Sequence, residues 1–131
     1  MSGGESFARL SERVCREQGW DLLPGGVRIE LPGGRRQVVS FESFEYEDEE
    51  RLRLTTRIGE FRALSAPRLE VALRANAVLA HGALAIDDDG IVMTATHSLE
   101  GIEASELEAA LRYLAATADE YEALLFGTDR Y

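Results

Sequence analysis

The stretch "HGALAIDDDGIVMTATHSLEG", residues 81–101, decides the fold. Two histidines bracket three successive aspartates and a glycine, so it reads either as a metal site or as two strands joined by a tight turn. As a calcium loop with Gly90 at its glycine position, it would put Ala85 and Thr96 at the two end positions, where carboxylates are required. As a zinc site it lacks ligands. His81 opens one segment and His97 nearly closes the next, so antiparallel pairing sets them side by side. The aspartates then lie at the other end, roughly 17–20 Å away at the usual strand rise. Two histidines without a third ligand do not hold zinc. Alternation gives the answer: Ala80, Gly82, Leu84 and Ile86 share one face, and Ile91, Met93, Ala95, His97 and Leu99 share another. Asp-Gly supplies the turn. We read a hairpin, with strands at about 80–86 and 91–99, and expect no metal.

On the C-terminal side, Leu107, Ala110, Leu111, Leu114, Ala118, Tyr121 and Leu125 form one apolar stripe at helical spacing. The spacing predicts a helix from Ala104 or Ser105 to Gly127, with Ser105 and Glu108 as a capping box. It should roof the sheet.

On the N-terminal side lies "APRLEVALRANAVLA", residues 66–80, with Ser65 as N-cap and Leu64 and Leu69 as a hydrophobic staple. Leu69, Ala72, Leu73, Asn76 and Ala80 make one stripe, and Val71, Ala75 and Val78 make a second on the far side. Only Glu70 and Arg74 interrupt the ring. A helix apolar nearly all round must be covered on two sides. The sheet is one cover. A second copy of the same helix across a two-fold axis is the other, which makes Val71, Ala75 and Val78 the expected dimer interface.

Further upstream, Leu-Pro-Gly-Gly occurs at 23–26 and again at 31–34. Strand-like residues follow each copy, not a helix, so these are turns bracketing a strand at Val27–Leu31 and not a phosphate cradle. A strand over 36–46 changes face between Phe41 and Phe44, which predicts a β-bulge near Glu42 or Ser43. Acidic residues 47–50 form the next loop, and strict alternation over 51–59 marks a half-buried antiparallel strand. Phe7, Leu10 and Val14 line a first helix over 5–19, ended by Gly19. Cys15 sits at the edge of that stripe as a packed thiol.

Composition narrows the function. The chain has 131 residues, 24 acidic and 14 basic, for a net charge of −10, which disfavours phosphate backbones and so nucleic acid. Every basic residue is arginine, which removes Schiff-base, P-loop and Ser-Lys chemistry in one stroke. With one cysteine and two histidines, no catalytic set is evident, and we expect neither an enzyme nor a cofactor. No leader peptide is visible and no apolar run approaches the roughly 20 residues of a membrane span. The expectation is a single cytoplasmic domain over 1–131, with flexible ends at 1–4 and 128–131.

The order α-β-β-β-α-β-β-α, an α+β domain with an antiparallel twisted sheet packed by helices, resembles the type III secretion chaperone-like fold. That fold is shared by the Tir chaperone (CesT) family and the YbjN family. The local likeness runs along "LRANAVLAHGALAIDDDGIVMTATHSLEGIEASELEAALRYLAATADEYEALL", residues 73–125: an Asn near the end of the middle helix, a small-residue strand, an acidic-Gly hairpin and a long closing helix. The resemblance implies a homodimer, joined through the middle helix, that binds another protein. A dedicated secretion chaperone would hold an effector segment on apolar patches, for which Phe7, Leu10, Phe41, Phe44 and Tyr46 are the supply. The outer face of the first and third strands instead shows Arg28, Glu30, Arg51, Arg53 and Arg57, which shifts the implied role toward a YbjN-like regulatory one.

Overall fold

A computed structural model describes residues 6–127. The flexible ends expected at 1–4 and 128–131 lie outside the described residues. The chain forms α1 (Phe7–Gln18), β1 (Asp21–Leu23), β2 (Gly26–Glu30), β3 (Arg36–Tyr46), β4 (Glu49–Glu60), α2 (Ala66–Ala75), β5 (Ala83–Asp87), β6 (Gly90–Ser98) and α3 (Ala104–Phe126). The expected order holds, with one strand added. β1 is the short partner of β2 across a Pro24-Gly25 turn, in which Gly25 takes φ +73°. All pairings are antiparallel, in the order β1-β2-β3-β4-β6-β5.

Period-2 alternation sorts the sheet into two faces. Val27, Ile29, Val39, Leu52, Leu54, Ile58, Leu84, Ile91, Met93 and Ala95 point to one side. There they meet Leu10 and Val14 of α1, Ala72 of α2, and Leu107, Leu111, Leu114, Ala115, Ala118 and Leu125 of α3 in one core. The three helices thus share a face, and the opposite face carries the arginines. Side chains of this size contribute about 1.5–3 kcal/mol each when buried, so the helix-covered face holds most of the fold's stability.

The helix ends follow local chemistry. Ser6 caps α1 by accepting from the Arg9 N–H at 3.3 Å, and Gly19 closes it at φ +74°. Ser65 caps α2 the same way, accepting from the Arg68 N–H at 3.3 Å. For α3 the capping box is Glu103 with Glu106, not Ser105 with Glu108. Glu103 is the last extended residue, so Ser105 already lies inside the first turn and cannot cap.

Two further expectations are corrected. β3 and β4 stay in register from Ser40↔Thr55 to Tyr46↔Glu49, without a bulge at Glu42 or Ser43. The irregularity falls instead between Arg57 and Gly59, where β4 meets β6. There a Cβ on Gly59 would stand 2.5 Å from the Phe126 ring, so the glycine lets the last turn of α3 lie over the bulge. The second helix ends at Ala75 rather than near Ala80. Beyond it, Ala77 N–H donates to Arg74 O at 3.1 Å and Val78 N–H to Ala75 O at 3.0 Å, the tighter three-residue spacing of a 3₁₀ turn.

Candidate protein-binding surface

The second helix is fixed to the rest of the molecule along its length. At its start, Arg68 Nη1 donates to the carbonyls of Leu125 at 2.7 Å and Gly127 at 3.3 Å, which closes the C-terminal end of α3. At its end, Asn76 makes a reciprocal pair with Leu84 of β5: Leu84 N–H donates to Asn76 Oδ1 at 2.7 Å, and Asn76 Nδ2 donates to Leu84 O at 3.1 Å. Just beyond, the His81 ring meets Tyr113 of α3 edge-on at 5.3 Å. The helix therefore lies between α3 and the edge strand β5.

Ala72 faces inward at 4% exposure, and Ala75 is half-buried against the core. Val71 at 42%, Leu73 at 66% and Val78 at 79% stand in solvent. Of the stripe Val71, Ala75 and Val78, two members are open and the middle one is turned inward. Leu73, expected to face the sheet, is exposed: the anchors at Arg68 and Asn76 set the rotation of the helix, and burial of Ala72 leaves Leu73 about 100° from the inward direction. On the outer crest Arg74 Nη2 meets Glu70 Oε2 at 2.8 Å.

The five aromatic and aliphatic residues expected to hold a partner do not line one groove. Phe7 and Phe41 pack edge-on at 5.1 Å on the helix-covered side, and Leu10 beside them is buried at 3% exposure. Phe44 and Tyr46 lie on the opposite face, because β3 continues without a bulge and odd and even residues separate. There the Arg53 guanidinium stacks over Phe44 at 4.3 Å, and Arg51 lies over Tyr46 at 5.5 Å.

The arginines of this face are matched by carboxylates: Arg28 with Asp21 at 3.2 Å, Arg51 with Glu49 at 3.0 Å, Arg53 with Glu42 at 3.4 Å and Arg57 with Asp89 at 3.2 Å. Exposed pairs like these are worth little in stability. They do leave the surface nearly neutral in a chain of strong net negative charge.

His81 and His97 come together as the hairpin reading requires. His97 is half-buried, and burial, then the neighbouring His81, lowers its pKa. Among the described residues no group of three or more His, Cys, Asp or Glu side chains is arranged to hold a metal. Burial pushes the Cys15 thiol up, with Asp21 adding to the effect, so it is a packing group and a poor thiolate. Among the described residues no helix is long and apolar enough to cross a membrane.

This arrangement of strands and helices has solved counterparts. The type III secretion chaperone SycH of Yersinia pestis, determined with a stable fragment of YscM2, is similar over 88% of this chain and 99% of its own, at 18% identity and TM-score 0.59. The HopA1-SchA chaperone-effector complex contains a similar chain, at 13% identity and TM-score 0.60, over 88% of this chain and 92% of that one. YbjN from E. coli is similar at 11% identity and TM-score 0.50, over 97% and 91%. The fold is therefore that of the secretion chaperone-like class. Within that class the chain belongs to the YbjN family, whose model, described as "Putative bacterial sensory transduction regulator", matches residues 12–126. No curated protein matches the sequence.

Proposed function

We propose that the chain is a non-enzymatic, cytoplasmic, homodimeric protein-binding domain with a YbjN-like regulatory or chaperone-like role, paired through α2 and the turn that follows it, where Val71, Ala75 and Val78 lie. The observation that carries this reading is a group of apolar side chains on α2 and the turn after it, held in place from both sides yet left open to water, with Val71 at 42% and Val78 at 79% exposure. Apolar side chains grouped on one element mark an interaction site more often than scattered ones do. The family match supports a regulatory role, and the neighbours SycH and SchA, both solved with protein partners, support binding of a protein. The buried Cys15 thiol, held above its usual pKa, supports a non-catalytic reading. The test is Val78→Asp. A charge in a subunit interface is desolvated without a partner. Light scattering should give a dimer for the wild type and a monomer of unchanged helix content for the variant. A dimeric variant removes α2 from the interface, and a monomeric wild type removes the dimer.

A second reading, a dedicated secretion chaperone, is favoured by the fold likeness to SycH and SchA. In it the client contacts Phe7, Leu10, Phe41, Phe44 and Tyr46. Tyr46, at 57% exposure, is directly accessible, whereas Leu10 becomes accessible only if α1 lifts. Co-expression with the product of a neighbouring gene should then give a complex that Tyr46→Ala weakens. Absence of any complex counts against it.

A further inference from the structure

We propose that His81 and His97 form a pH-sensitive latch that holds the connection between α2 and β5, residues 77–82, against β6 and lets it move away when both rings are charged. The fold sets the two histidines beside one another. Ala83 pairs with Thr94 across β5 and β6. One residue earlier, Gly82 passes β6 so closely that a Cβ would stand 2.7 Å from the Thr94 carbonyl oxygen and 3.5 Å from the Ala95 Cβ. His81 therefore falls level with Thr96 and His97. Its ring also meets Tyr113 of α3 edge-on at 5.3 Å.

None of the elements around the pair turns a carboxylate toward it. On β4 the residue opposite His97 is Leu52, and the adjacent Arg51 and Arg53 lie on the far face of the sheet, over Tyr46 and Phe44. On β6 itself, Ala95 and Leu99 share the face of His97, and Glu100 beyond them is exposed. One turn to either side of Tyr113 on α3 stand Ala109, Ala110, Ala116 and Thr117. In the connection, His81 is the only titratable side chain. Burial and then His81 lower the pKa of His97, and no carboxylate offsets them. Charging both rings is thus left uncompensated in a chain that has 24 acidic side chains to spare.

Moving the connection away removes His81 and admits water to His97, which returns that ring toward its ordinary 6.5. The open arrangement then binds more protons than the closed one, so it gains as the pH falls below about 6.5; above that, protons exert no pull. The ends of the connection stay fixed, because Asn76 is bonded to Leu84 and β5 is paired from Ala83 onward. Between them the segment rests on the core through Leu79 and on α3 through His81. It can shift without unpairing the sheet. The same segment carries Val78, so the latch governs how that exposed side chain is presented. It acts within one chain, and its test does not depend on whether two copies pair.

The test is an NMR titration of the full chain from about pH 8 to about pH 5, the range in which imidazoles change charge. With two histidines in all, His81→Gln and His97→Gln assign the ring signals directly. In the wild type, the amide signals of residues 77–82 should shift with the same midpoint as the His97 ring, while those of β4 stay in place. His81→Gln should move the His97 midpoint to higher pH, and His97→Gln should remove the shift of the segment. A His97 midpoint unchanged in His81→Gln overturns the latch, because the rings then do not act on one another. So does a segment whose amide signals ignore the His97 titration. Shifts spread equally over β4 mean that the molecule loosens as a whole, which also overturns it. The wild-type titration needs no substitution, so these last two outcomes can be read even if a variant does not fold.

Discussion

His97 shows how one side chain takes its properties from its surroundings. It lies on the helix-facing side of β6, and burial, followed by His81, lowers its pKa from the ordinary 6.5. The unfolded chain accepts a proton near that ordinary value, whereas the folded chain resists until the pH is lower. Unfolded molecules therefore bind more protons in this window, and stability falls as the pH drops below about 6.5. Thermal unfolding followed in small pH steps should show the midpoint declining from there downward, and His97→Gln should flatten that part of the profile. A wild-type profile as flat as the variant's would show that the imidazole titrates normally. The pairing of His81 with His97 was legible from alternation, since a hairpin fixes which ends meet. The burial was not, because it depends on where α3 lies. Gly82 belongs to the same scale: at φ +80°, and with a Cβ that would stand 2.7 Å from the Thr94 carbonyl oxygen, it is suited to its place by its lack of a side chain.

At the scale of the element, α2 is set by what it touches. Its start was readable, because an N-cap serine acts within a few residues of itself. Its end was not. Apolar spacing continues to Ala80, but Asn76 turns its amide to the backbone of Leu84, and the chain tightens into a short turn. Asn76→Ala would leave the Leu84 N–H and carbonyl without these partners in a part-buried position, at a cost of about 1–3 kcal/mol. Urea unfolding should show the midpoint lowered accordingly at unchanged slope; a shift of a few tenths of a kcal/mol would mean that solvent replaces both bonds. The bulge teaches the same lesson. The face change along β3 was real, with Phe41 and Phe44 on opposite sides, yet it needs no extra residue, because the outer face accepts aromatic rings beneath arginines.

For the whole molecule, three helices on one face leave the other to surface ion pairs, and α2 presents Val71 and Leu73 to solvent. If two copies pair there, folding and association are linked, and stability depends on concentration. The thermal midpoint of the wild type should rise with protein concentration over a hundredfold range, and that of Val78→Asp should not. Equal, concentration-independent midpoints would place the folded state in the monomer alone.

The amino-acid sequence by itself determined every element except β1, the start of α2 though not its end, the hairpin at 81–101, the two faces of the sheet and the α+β class. These follow from periodicity, turn residues and caps, which act over a few residues of chain. Only the tertiary structure decided that β6 lies against β4, that the bulge falls between Arg57 and Gly59, that Arg68 closes the end of α3, and that Leu73 faces water. Each of these depends on groups far apart in sequence meeting in space. Their energies exist only once the sheet and helices have packed, so no local pattern can encode them.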